Sequence, residues 1–265
     1  DDCGGGISCS NASPRIVHCV ITGNSAKEGG GMLVAHASPE IVDCDFTNNS
    51  AELNGAGISH YFAKSIIEDC RFSGNTSGFY GGGLYNECSP VTITDCRIDS
   101  NTATYGGGIH DYYASPIITG TVFSANSATY GGGLYNEVAS PILADCQFDQ
   151  NTVPVASGGG GAMFNLDCSS PQIDRVVFSG NSANIGGALY NGDLSHPVIT
   201  NSVFRNNQVQ FGGAGMANIS SAPQMVNCTF SGNTASSTAA AVFNYQCTES
   251  PAARNCILWD SSSPE

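Results

Sequence analysis

Apolar and polar residues alternate along this chain in short bursts, never in sustained helical arcs. In Cys44-Asp45-Phe46 and its equivalents, alternation sends Cys and Phe to one face and the residue between them to the other. That middle position varies freely (Asp45, Arg71, Val122, Gln147, Thr229), as an outward position does. A second burst lies upstream, centred on Ile41, Ile67, Ile93 and Ile118. A third follows the glycines, as in Gly81-Gly82-Gly83-Leu84 and Gly131-Gly132-Gly133-Leu134. Asn-Ser-Ala, Asn-Thr-Ala and Ser-Pro turn signals separate the bursts. The pattern predicts three short strands per unit and no helix.

The unit repeats. Phe-x-x-Asn recurs at Phe46/Asn49, Phe72/Asn75, Phe123/Asn126, Phe148/Asn151, Phe178/Asn181, Phe204/Asn207 and Phe230/Asn233, with aliphatic versions at Ile21/Asn24 and Ile98/Asn101 and a degraded copy at Leu258. From Asn24 to Asn233 the Asn positions step by 25, 26, 26, 25, 25, 30, 26 and 26 residues. A period of about 26 residues repeated about ten times reads as a parallel β-helix, an all-β solenoid. Coils about 4.8 Å apart give a rod about 48 Å long. Residues 1–265 form a single domain on this reading, which equally suits a piece of a longer polypeptide. The one phase slip predicts a loop over 152–159. Asn at the turn is expected to take left-handed backbone angles and to bond the next coil, and the glycine strip to form a tight corner.

Composition narrows the partners. Eight Lys and Arg against 22 Asp and Glu leave a formal charge of −14, which argues against nucleic acid or an anionic membrane. No apolar run approaches the roughly 18 residues of a transmembrane helix, so no membrane insertion by this segment is expected.

Phe-Ser-Gly-Asn-Thr/Ser-Ala followed by Gly-Gly-Gly/Ala-Leu-Tyr-Asn resembles the repeat of polymorphic outer-membrane proteins and related secreted right-handed parallel β-helix proteins of bacteria. The resemblance covers residues 4 to 261 and implies right-handed coiling, an extracellular or cell-surface location, and a structural or adhesive role. Asn255-Cys256-Ile257-Leu258-Trp259 is similar to a segment of such proteins, with Asp260 where a Gly usually follows. Polygalacturonase-like enzymes share the architecture, but their Asn-Thr-Asp and Gly-His-Gly signatures are missing from the rod.

Twelve cysteines invite scrutiny. Seven (Cys19, Cys44, Cys70, Cys96, Cys146, Cys228, Cys256) fall in one column and read as small buried residues stacked on their like. Parallel Cβ vectors disfavour bridges between them. Without Cys-x-x-Cys, and with His18, His36, His60, His110 and His196 lacking ligand spacing, no metal and no cofactor is expected, and the histidines read as solvated.

Two features of coils four to six could carry function. Glu87, Asp111 and Glu137 fall on one ridge and are the candidate catalytic carboxylates of a carbohydrate-active enzyme, since glycosidases hold such pairs about 5 to 9.5 Å apart. The same spacing arises from any acid repeated in a solenoid, so a non-enzymatic role is preferred. Tyr80, Tyr105 and Tyr130 precede the glycines, while Tyr85, His110 and Tyr135 follow them and alternate outward. Two aromatic rows flanking a glycine floor could stack sugar rings or a partner chain. A self-stacking ladder that only stabilises coil contacts is the simpler reading. Sequons at Asn48 and Asn218 are the candidate glycosylation sites. The partners expected are glycans, other surface proteins, or another copy stacked end to end into a fibre.

Overall fold

In a computed structural model, residues 3–154, 158–259 and 261–262 are described. Three ten-stranded parallel sheets run the length of the chain, and each coil contributes one strand to each sheet. No α-helix occurs among the described residues. In the first sheet the coils are numbered from Ile7–Ser10, so that Leu84–Glu87 belongs to coil four, Ile109–Tyr112 to coil five and Leu134–Glu137 to coil six. The second sheet carries the upstream aliphatic burst (Thr92–Thr94, Ile117–Thr119) and the third carries Cys-x-Phe (Val122–Ser124, Gln147–Asp149).

Stacking like on like builds the core. Phe46 stacks on Phe72, and Phe123, Phe148, Phe178, Phe204 and Phe230 form a column with centroid separations of 4.4 to 5.2 Å. The aliphatic column of the second sheet (Ile41, Ile67, Ile93, Ile118) and that of the first (Met32, Ile58, Leu84, Ile109) close the other two walls. Five of the seven column cysteines (Cys44, Cys70, Cys96, Cys146 and Cys228) are buried as expected, whereas Cys19 is exposed and Cys256 half-buried; within the column the Cys44 amide donates to Cys70 Sγ at 3.4 Å. Burial pushes the Cys44 and Cys146 thiols up to about 11, which leaves them without thiolate character at neutral pH.

The turn asparagines form a ladder with every valence used. Asn75 Oδ1 accepts from the backbone amide and the Nδ2 of Asn49, while Asn75 Nδ2 donates to Phe46 O and Asn101 Oδ1. The pattern runs from Asn24 to Asn233. One detail differs from expectation. The left-handed residue is the one before each ladder Asn, namely Asn48 (φ 53°), Gly74 (65°), Ser100 (58°) and Ala125 (53°). The ladder residue itself must keep the backbone orientation that aims its amide inward.

The ends of the expected 152–159 loop stay in the coil. Thr152 pairs with Ser127 and Ser182, and the Val153 amide donates to Ser182 O, so both stay in register. Gly159 pairs with Ile185, and 155–157 lie outside the described residues.

Phe148 is fully buried between two stacked rings, while Gln147 beside it is exposed. Phe148→Ala should cost about 3–5 kcal/mol through lost burial and a cavity. Gln147→Ala should change stability by less than about 0.5 kcal/mol. Chemical denaturation of the two variants checks both numbers, and equal losses would contradict the assigned faces.

Candidate functional site

The glycine strip decides what the outer face of coils four to six looks like. Gly81 sits at φ 60°, and a Cβ on Gly82 would lie 2.4 Å from the Gly107 carbonyl oxygen of the next coil. Only glycine lets the chain turn this tightly against its neighbour. The turn folds the tyrosine before the strip over the ring after it. Tyr80 lies 6.0 Å from Tyr85 and 4.9 Å from His110, while Tyr105 meets Tyr135 edge-on at 5.4 Å, centroid to centroid. Tyr80, Tyr105 and Tyr130 also stack on one another at 5.3 and 5.5 Å.

This arrangement corrects the two-row groove. Tyr85, His110 and Tyr135 do alternate away from the core, yet they are only 4%, 2% and 4% exposed, because the second row lies on top of them. There is no open glycine floor. Tyr80, Tyr105 and Tyr130 keep partly exposed edges.

The carboxylate ridge is corrected too. Strand register aligns Glu87 with Tyr112 and Tyr112 with Glu137, whereas Asp111 aligns with Asn86 and Asn136. Asp111 therefore points into the rod and is fully buried. It belongs to a second internal ladder that the sequence reading missed. His60 Nδ1 donates to Asn86 Oδ1 at 2.9 Å and Asn86 Nδ2 donates to Asp111 Oδ1 at 2.7 Å. Further on, Asn136, Asn165, Asn191 and Asn218 each donate to the next rung at 2.7–2.8 Å, the last of these bonds ending on Asn244 Oδ1. The link between Asp111 and Asn136 breaks the sequence: Asp111 Oδ2 and Asn136 Oδ1 are both buried without a partner. Two acceptors cannot bond each other, but a protonated carboxyl can donate from Oδ2. Burial raises the Asp111 carboxyl to about 8, which supplies that proton at neutral pH. Counting residues from the glycine strip, rather than matching acids, would have placed Asp111 in this column.

Asn218 is likewise a fully buried rung of this ladder, so it is no glycosylation site. Asn48 is exposed. The expectation of solvated histidines fails at His60 and His110, which are 0% and 2% exposed. Burial lowers the His60 imidazole to about 4 and lowers His110 as well, the latter against the opposing pull of Glu137 and Glu87.

What remains on the outside is a recess of about 200 Å³ lined by Tyr80, Tyr85, His110, Tyr112 and Glu137. The Tyr85 hydroxyl donates to Glu87 Oε2 at 2.8 Å, which holds that carboxylate beside the recess. His110 Nε2 stands 3.6 Å from Glu137 Oε2, beyond hydrogen-bond reach, and both ring nitrogens of His110 lack a partner. Glu87 and Glu137 are two coils apart, about 9.6 Å along the rod, at the far edge of a glycosidase pair. Two roomier hollows, of about 520 and 430 Å³, lie along the short strands at the Asn turns. Their walls are Ser, Ala, Gln and Val with Lys27 and Glu52, and none of these residues has a buried unpaired polar atom.

A family model described as "right handed beta helix region" matches residues 5–165 and 84–263. Searches of curated proteins and of solved structures gave no match.

The Asp111 proton makes stability depend on pH. A carboxyl whose folded value lies near 8 instead of near 4 binds more proton in the folded state across that interval, so stability falls as pH rises from about 4 to about 8. Asp111→Asn keeps the rung and removes the titration. Its melting temperature should exceed that of the parent chain at pH 8, with the gap shrinking toward pH 5. A gap that does not vary with pH would contradict a protonated Asp111.

Proposed function

We propose that this chain, which belongs to the right-handed β-helix family, is an extracellular structural and adhesive solenoid: a stiff rod that presents a recognition recess on its outer face at coils four to six. The observation that carries the reading is that recess, where partly exposed tyrosine edges and two carboxylates surround a buried imidazole whose ring nitrogens make no hydrogen bond within the protein. Unbroken register through three ten-stranded sheets supports the mechanical part, because each coil is braced on both sides by hydrogen bonds and stacked side chains. The likeness of the repeat to secreted surface proteins supports the location. Association with further copies belongs to the same proposal.

A carbohydrate-active enzyme is the weaker reading. With Asp111 committed to the interior, the outer ridge keeps one carboxylate pair, and Tyr112 stands between its members. The positions in register with the pair on the flanking coils are Tyr61 and Leu166, neither of them an acid.

Beads coated with the protein should adhere to cells or to arrayed glycans and proteins, and Tyr112→Ala combined with Glu137→Gln should reduce retention at least tenfold without lowering the melting temperature by more than a few degrees. Turnover of a polysaccharide that vanishes on Glu87→Gln or Glu137→Gln would overturn the non-enzymatic reading.

A further inference from the structure

The recess on coils four to six has a chemistry narrower than adhesion in general. Its walls are the ring faces and edges of Tyr80, Tyr85 and Tyr112, its floor is His110, and Glu137 closes one side with Glu87 beside it. No Lys or Arg lines it. Carboxylates at the rim repel an anion, and aromatic faces attract a cation through their quadrupoles. About 200 Å³ is the volume of six or seven liquid waters, which suits an ammonium group on a short stem and not a folded chain or an oligosaccharide.

His110 discriminates further. It is 2% exposed, and neither ring nitrogen has a hydrogen-bond partner within the protein. A buried polar group left unpaired costs about 1–3 kcal/mol, so a ligand that satisfies it gains from doing so. Rings crowd the imidazole on several sides: Tyr80 and Tyr135 at 4.9 Å, Tyr85 at 5.5 Å and Tyr112 at 6.4 Å. A neutral imidazole offers one nitrogen as an acceptor. Nε2 has no accessible surface in the unliganded rod, so the tyrosine rings over it must part to admit a ligand; a nitrogen atom then placed about 2.9 Å from Nε2 and from Glu137 Oε2, which are 3.6 Å apart, would bridge them. A primary ammonium has three N–H donors and no acceptor, and it can make both bonds at once. A quaternary ammonium would fill the aromatic walls but leave His110 unpaired, and a neutral hydroxyl would forgo the charge.

We propose that the Tyr80–Tyr85–His110–Tyr112–Glu137 recess is a binding site for a primary ammonium group, bridged between His110 Nε2 and the Glu137 carboxylate and enclosed by tyrosine rings. This rests on the adhesive reading above and gives that site its ligand chemistry. Lysine side chains of a partner protein and free amino sugars both carry the group.

The test is a titration of the whole chain followed by NMR and calorimetry, with n-butylammonium as the defining probe. Nα-acetyl-lysine methylamide and glucosamine are the two source arms, with butyltrimethylammonium and N-acetylglucosamine as the matched controls. The primary amines should bind and shift the His110 and Tyr112 resonances, at least tenfold more tightly than either control. Glu137→Gln should weaken the binding at least tenfold. Raising the salt should weaken it on the unmodified chain, a readout that does not depend on any variant folding. A stronger lysine arm assigns a protein partner, and a stronger glucosamine arm an amino sugar. The proposal is overturned if N-acetylglucosamine matches glucosamine, if the quaternary amine matches the primary, or if no primary amine binds. In those cases, beads that still adhere would leave the adhesive reading standing on a different ligand. Beads that fail while butylammonium binds would remove the adhesive reading and keep the site.

Discussion

A buried primary amide must place two donors and an acceptor, and that requirement holds this solenoid in register. Each interior ladder Asn takes its acceptor's partners from one coil and sends its donors to the next coil and to the carbonyl of a column Phe or Ile. A coil that slipped by one residue would leave several such groups unpaired, at about 1–3 kcal/mol each. The apolar columns tolerate small shifts, because aliphatic contacts are non-directional. The amides do not. Ladder and core therefore divide the labour: burial supplies the driving force, and the amide rungs select one alignment of it.

The second ladder extends the same logic and exposes its limit. Asn86 and the run from Asn136 to Asn244 pass hydrogen bonds in one direction along the first sheet. Asp111 interrupts a row of amides with a group that can serve the row only when protonated, and its burial supplies that condition at neutral pH. His60 at the start of the row donates from Nδ1 and is kept neutral by the same burial. An acid and a base thus occupy amide positions as neutral groups, so neither bears on surface chemistry.

The outer face of coils four to six shows how a stacking fold makes a site without a loop. Glycine brings one tyrosine row down onto the next, and what would be a groove becomes a two-layer aromatic pad. Where coil five places His110 and Tyr112 in the positions that coils four and six fill with Tyr and Glu, the pad opens into a recess. A break in the repeat, not the repeat itself, creates the chemical distinctness.

Periodicity alone determined the three strands per coil, the inward Phe, Ile and Cys columns, the Asn ladder and the outward Gln147, because alternation within a strand and recurrence between coils are both linear properties of the chain. Asp111 was legible in principle, since Gly-Gly-Gly-Ile-His-Asp-Tyr aligned with Gly-Gly-Gly-Leu-Tyr-Asn-Glu puts it opposite Asn; grouping by acidity hid it. Asn218 hid in the same column. Other features only the tertiary structure decided. Alternation says that Tyr85 and His110 leave the core, but not that Tyr80 lies across them. The burial of His110, its unpaired nitrogens and the recess above it depend on how far one turn leans over another. That lean is set by backbone angles at Gly81 and contact with Gly107, which no count along the sequence contains.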